Sequence, residues 1–198
     1  MADLAALMLL AAAATAPAPP PAGAAIAPLL AGTQGQWCGR LEYRDYQSDS
    51  WEGLPMAVAI TAQPDGVTLI RSAAFDDGPR VGLVWITGIE QLDLATGRRA
   101  YASVRKGKPL VSGSQQLALT GPPDDPLHWQ LTASETEIDG NAPALIRETT
   151  TRDGDQLASL KEVANPAEAS PAWKPRNRTR LVRYSGAANQ WPRACFAP

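Results

Sequence analysis

The chain has 198 residues, and 18 Lys plus Arg against 20 Asp plus Glu leave a formal net charge of -2, which excludes a global field drawing it to nucleic acid or an anionic membrane. Hydrophobic residues make up 44%, but much of this is alanine, and the larger apolar side chains come in short runs punctuated by 16 Gly and 18 Pro. That rhythm suits strands and turns around a single core rather than two domains or a long helix.

In chain order, the apolar block from Leu4 to Ala14 has the length of a signal-peptide core and is too short to span a bilayer. Residues 1–24 therefore read as a signal peptide, with Ala22-Gly23-Ala24 supplying the small-x-small pattern and a mature start at Ala25. The earlier Ala14-Thr15-Ala16 is followed by Pro17, which obstructs cleavage, and the leader departs from the usual pattern in carrying Asp3 and no Lys or Arg. The Ala/Pro run after Ala16 excludes a helix interior and predicts an extended spacer. Residues 25–34 are expected as a disordered or short helical spacer, helical at most over Ala27 to Ala31, ahead of one domain over 35–198. Export implies a periplasmic or secreted protein.

From Trp37 onward, Trp37, Leu41 and Tyr43 share one parity and Arg40, Glu42 and Arg44 the other, the period-two signature of a half-buried strand. Leu54, Met56, Val58 and Ile60 repeat it, Gln63-Pro64-Asp65-Gly66 turns, and Val67, Leu69 and Ala73 resume it with Arg71 between them. Asp76-Asp77-Gly78-Pro79 turns again, and Val81, Leu83 and Trp85 fall on alternating positions that predict Trp85 inside. Shorter strands follow around Ala95-Thr96-Gly97, Lys106-Gly107-Lys108-Pro109 and Gly121. Leu127, Trp129 and Leu131 then alternate with His128, Gln130 and Thr132, a hairpin centres on Asp153-Gly154, and a last strand runs to Tyr184. About eight to ten antiparallel strands in sequential order bury their edges most simply as an up-and-down barrel with little helix; a two-sheet sandwich is the alternative.

Cys38 and Cys195 are the only cysteines and lie near the two ends of the ordered region. In an oxidising compartment they are expected to pair, restricting the unfolded chain by about 4 to 5 kcal/mol in the entropic account. Cys38 has outward parity, so the bridge would strap the tail containing Trp191 across the outside of the first strand.

Gly35-Gln36-Trp37, opening the first strand, resembles the Gly-x-Trp element of lipocalins and related calycin barrels, with a strand count nearer fatty-acid-binding or nitrobindin-like barrels. The resemblance implies that Trp37 closes one end of the barrel under a basic side chain of the last strand. Arg183, which shares parity with Leu181, is the matching position, and its cation-π contact would contribute about 0.5 to 2 kcal/mol. The haem role of nitrobindin-like barrels needs a histidine, and the single His128 has outward parity.

Chemistry is sparse. One histidine excludes a multi-histidine zinc site, and there is no Gly-x-Ser-x-Gly elbow, phosphate-binding loop or Cys-x-x-Cys pair. Asp76-Asp77, Asp124-Asp125 and Asp153-x-Asp155 lie in turns without calcium-loop spacing, and no metal, cofactor or catalytic residue is expected. Lys174, Arg176, Arg178 and Arg180 share one parity and predict an outward cationic strip suited to an anionic surface. Asp45, Arg71 and Arg183 fall on inward positions, where they would pair with one another or hold the polar end of an amphipathic ligand.

These readings converge on an exported barrel binding a small hydrophobic or amphipathic molecule, with Trp37, Tyr43, Arg71, Trp85, Trp129 and Arg183 as candidate lining. The alternative is an envelope-associated structural or interaction module with a packed interior, meeting its partner through the cationic strip. A barrel enzyme built on Asp45, Arg71 or Glu148 has no motif in its favour.

Overall fold

The computed structural model describes residues 21–139 and 141–196; the apolar leader and the cleavage-obstructing Pro17 lie outside them. Ten antiparallel strands follow one another around a closed barrel: β1 (Gly35–Asp45), β2 (Ser50–Ala62), β3 (Thr68–Asp76), β4 (Leu83–Leu92), β5 (Arg98–Arg105), β6 (Val111–Leu119), β7 (His128–Asp139), β8 (Ala142–Asp153), β9 (Gln156–Ala164) and β10 (Lys174–Arg183). Each strand pairs with its sequence neighbours, and β10 returns to β1 in the register Trp37↔Arg183 to Tyr43↔Asn177. The ring leaves no edge strand, which is what the run of short alternating segments requires of a single sheet.

One end of the barrel is closed by helix α1 (Ala22–Ala31), whose Ile26, Leu29 and Leu30 are buried against Trp37, Val58, Ile60, Leu69, Leu92 and Leu117. Thr33 ends the plug: its hydroxyl donates to the Leu30 carbonyl at 2.6 Å, and its own carbonyl accepts from Trp37 Nε1 at 3.0 Å. The helix starts earlier than the expected spacer. Gly23 is buried, donates its N–H to the Leu94 carbonyl at 3.0 Å, and a Cβ there would stand 2.5 Å from the Asp93 carbonyl oxygen. A mature start at Ala25 would remove this packed turn, whereas a cut upstream of Ala22 would keep it.

Trp37 has no exposed surface. The Arg183 guanidinium lies over its ring at 4.5 Å, as the lipocalin resemblance implied, and Arg152 of β8 lies over it too, at 4.8 Å. Arg183 donates to the Gln34 carbonyl at 2.7 Å and pairs with Asp155 at 3.2 Å, while Arg152 donates through Nε to the Gly154 carbonyl. Burial, and then the neighbouring Arg183 charge, pull the Arg152 guanidinium below its ordinary value. Each contact with the ring contributes about 0.5 to 2 kcal/mol in return.

Cys38 and Cys195 form a disulfide closing 157 positions, with Cα atoms 5.0 Å apart. The strap follows the predicted outer course and runs farther than expected. The tail forms two 3-10 turns, Ala188–Gln190 and Arg193–Phe196; the second lies over the outside of β1 and β2, and Trp191 between them reaches β4, its ring edge-on to Trp85 at 6.3 Å. The outward residues on this path, Ala57 on β2 and Ala74 on β3, have no exposed surface. Alanine leaves room there for a covering segment.

This placement corrects the reading of Trp85, which points outward and is 42% exposed. β4 carries apolar side chains on both faces, Leu83, Trp85 and Ile89 outside and Ile86 and Leu92 inside, so its alternation alone has two solutions. The inward set is one residue out of phase with the expected one.

The cationic strip is corrected as well. Arg178 and Arg180 lie outside, pairing with Glu42 at 2.6 and 3.6 Å, and Arg178 stacks at 4.1 Å over Trp51, which also carries Arg44 at 5.4 Å. The Arg178 hydrogen bond holds the Glu42 carboxyl below its ordinary value. A bulge between Pro175 and Asn177 shifts the register by one residue at Arg176, so Lys174 falls on the opposite face from Arg178 and Arg180. The four cations do not form one strip.

The loop closed by the disulfide gives a measurable expectation. The Cys38→Ala/Cys195→Ala double variant should lose about 2 to 5 kcal/mol of stability in urea unfolding while keeping its far-ultraviolet spectrum. An unchanged midpoint would show that the strap does not constrain the barrel.

Candidate functional site

Above the Trp37 floor the barrel is hollow, with a half-open cavity of about 530 Å³, within the range of small-molecule sites. Strand alternation decides its wall. Met56 and Val58 of β2, Ala73 and Phe75 of β3, Ile86 of β4, Trp129, Leu131 and Ala133 of β7, Leu157 of β9 and Leu181 of β10 supply its apolar side. Trp129 is 5% exposed and donates Nε1–H to the Pro126 carbonyl at 3.1 Å, which fixes its ring.

The same parity brings seven charged side chains to one interior: Arg71, Glu90, Arg99, Glu135, Glu137, Glu148 and Lys161. Glu90 is the centre of the first group, accepting from Arg71 Nε at 3.3 Å and from Arg99 Nη1 at 2.9 Å. Burial pushes the Glu90 carboxyl up, and the two guanidiniums, Arg99 foremost, outweigh it and hold it below its ordinary value. Arg99 Nη2 also donates to the side-chain carbonyl of Gln115, whereas the buried Arg99 Nε–H meets no acceptor. An orphaned buried donor of a charged group is costly, by about 1 to 3 kcal/mol or more.

The second group is acidic. Glu135 accepts from Gln115 Nε2 at 2.7 Å and from the Tyr101 hydroxyl at 3.0 Å, and Glu137 pairs with Lys161 at 3.2 Å. Desolvation first, then the Glu135 charge and hydrogen bond, push the Tyr101 phenol up to about 12. On β9 and β10, Ser159 and Thr179 share a hydroxyl hydrogen bond at 2.9 Å on the cavity wall.

The residues picked from sequence divide by depth. Arg71 and Trp129 line the cavity. Trp37 and Arg183 lie beneath its floor, and Trp85 lies outside the barrel. Tyr43 has the inward parity but stands 47% exposed near the end of β1, beyond the cavity wall. Asp45 is not the partner of Arg71. It caps the turn after β1, accepting from Gln47 N–H at 2.9 Å and Ser48 Oγ at 2.5 Å, and these bonds lower its pKa.

Composition and motifs do not mark Glu90, Arg99, Tyr101, Gln115, Glu135, Glu137 or Lys161 as lining residues. A signal for two of them exists, because Glu135 and Glu137 continue the odd-numbered inward set of Trp129 and Leu131. His128 faces outward, bonded through Nδ1 to Asp125 at 2.8 Å, and that bond raises its pKa. Among the described residues no group of three or more His, Cys, Asp or Glu is placed to hold a metal ion, and no helix is long and apolar enough to cross a membrane.

No family model and no curated protein matches the chain. Among solved structures it is similar to the crystal structure of Rv2717c from M. tuberculosis, with a TM-score of 0.52 and 17% sequence identity, covering 83% of this chain and 98% of that one. At this identity the likeness speaks to the barrel fold alone.

The Tyr101 phenol offers a check on the interior electrostatics. Its folded value lies above the ordinary 10.0, so the stability it contributes is complete below pH 10 and lost as the pH rises towards 12. Absorbance titration at high pH should show one tyrosine ionising later than the rest, and Tyr101→Phe should remove that phase. Glu135→Gln should bring it back towards the others; a late phase surviving Tyr101→Phe would assign it elsewhere.

Proposed function

We propose that this protein is an exported carrier that holds a small amphipathic molecule inside the barrel, with the apolar part against Trp129, Leu131 and Leu157 and an acceptor-bearing polar end against Arg71 and Arg99. The observation that carries this reading is a cavity of about 530 Å³ whose wall is apolar at Trp129, Leu131 and Leu157 and cationic at Arg71 and Arg99. Two guanidiniums share the single carboxylate of Glu90, so this layer carries one positive charge in excess. A carboxylate, sulfonate or carbonyl oxygen complements that charge. The reading keeps the ligand-binding role of the lipocalin-like barrels that Gly35-Gln36-Trp37 resembles. It assigns no haem.

The Cys38–Cys195 bond supports export, since such a bond persists in oxidising compartments. The apolar leader adds to it, and the packing of Gly23 favours a processing point upstream of Ala22.

Native mass spectrometry of protein purified from its own compartment should show a bound small molecule and a mature N-terminus ahead of Ala22. In calorimetry, one equivalent of 1-anilinonaphthalene-8-sulfonate, an amphipathic anion, should bind the emptied protein. Loss of a charge-assisted hydrogen bond in Arg71→Met or Arg99→Met should weaken that affinity by about 10- to 100-fold. No binding to the emptied wild type, or wild-type affinity in both variants, would sink the reading.

A further inference from the structure

The barrel wall is uneven. Between β6 and β7 the ladder holds only four residue pairs, Gln116↔Ser134 to Leu119↔Leu131. Both strands continue beyond it, β6 back to Val111 and β7 on to Asp139, while pairing only with their other neighbours. Extending the register would set Gln115 opposite Glu135 and Ser114 opposite Thr136, yet no backbone pairing forms there. A hollow of about 720 Å³ opens at this place, lined by Ser112, Gly113 and Ser114 on one side and Glu135, Thr136 and Glu137 on the other. Tyr101, Glu135 and Glu137 line this hollow and the central cavity alike, so the two spaces meet at those side chains.

Side chains do here what the backbone does elsewhere. Tyr101 projects from β5, crosses β6 at its paired residue Gly113, and donates its hydroxyl to Glu135 on β7 at 3.0 Å. Gln115 makes a second bridge to the same carboxylate at 2.7 Å. Gly113 permits the crossing: a Cβ at that position would lie 2.6 Å from the Tyr101 hydroxyl and 2.8 Å from the ring carbon that bears it. A wall closed by two side-chain hydrogen bonds opens by rotamer changes, whereas a wall closed by a ladder opens by breaking a strand pair.

We propose that the gap between β6 and β7 is a side portal through which ligands enter and leave the barrel, with Tyr101 as its gate, Gly113 as the sill over which the ring lies and Glu135 as the latch. The proposal rests on the interior cavity being the binding site. Its polar lining suits molecules that carry a polar group past Glu135 on the way in.

The test uses access to an interior thiol, which needs no ligand. In Ser159→Cys protein the introduced cysteine lies on the cavity wall, and its modification by 2-aminoethyl methanethiosulfonate can be timed by mass spectrometry. Bridging the gap with Ser114→Cys/Thr136→Cys, oxidised and confirmed by peptide mapping, should slow that modification about 10-fold, and Tyr101→Ala should speed it by a similar factor. The same bridge should slow both association and dissociation of 1-anilinonaphthalene-8-sulfonate while its equilibrium affinity stays within about 3-fold. Modification of the introduced thiol at an unchanged rate in the bridged protein overturns the portal. Should the bridge fail to form, an unchanged rate in Tyr101→Ala overturns it. Wild-type protein that takes up no anilinonaphthalene sulfonate overturns the binding reading separately, since thiol access involves no ligand.

Discussion

Closure of β1 on β10 is the constraint on which the rest of the molecule depends. A ten-strand meander ends in two strands whose outer backbone groups need partners, and the pairing of Trp37 with Arg183 through Tyr43 with Asn177 supplies them. The register that satisfies the backbone also sets three chemically different links across one seam. Inside, it lays Arg183 over Trp37. Outside, it sets Arg178 against Glu42, and the strap beyond β10 returns to Cys38 through the disulfide. Because the side-chain period is two, a slip of one residue would turn Trp37 outward and undo all three together.

With that end fixed, the interior need not be filled to hold the barrel together. Apolar side chains and the α1 plug occupy the floor, and the layer above it carries Arg71, Glu90 and Arg99 in a cavity that a packed protein would fill with Leu or Ile. Buried ion pairs of this kind contribute little net stability compared with apolar residues of the same volume. The cavity and its charges are therefore poorly explained as devices for folding, and the Arg99 Nε–H with no acceptor is a cost that folding alone gives no reason to bear.

Much of the architecture was legible because a one-face-buried strand writes its burial into every second residue. Trp37, Leu41, Val58, Ile60, Leu69, Trp129 and Leu131 all keep the parity that the sequence displays, and Arg183 follows from Leu181. Legibility failed where a second surface was buried. Trp85 looked internal because the strap covers part of the outer face of β4, and an apolar residue records burial without recording the side. It failed again at the strand ends: one extra residue at Arg176 splits the cationic row, and Asp45, the last residue of β1, turns its carboxylate to the following turn. The charged interior was the hardest part to see. Glu90, Arg99 and Glu135 are types that normally mark solvent, and only their membership of inward sets distinguishes them.

The uneven wall follows from the same economy of links. The seam, the strap and the guanidiniums over Trp37 gather on the side of the barrel where β10, β1 and β2 meet, while β6 and β7 lie nearly opposite in the ring. There the ladder shortens to four pairs, against twelve between β7 and β8. Local opening is easiest where the fewest backbone hydrogen bonds must break together, which is why the proposed portal is placed at Tyr101, Gly113 and Glu135. These side chains border the charged layer, and Gln115 links the two, accepting from Arg99 and donating to Glu135. A molecule that pairs with the Arg99 guanidinium therefore acts on a group two hydrogen bonds from the latch, and Gln115 is the side chain through which occupancy of the cavity would be coupled to closure of the wall.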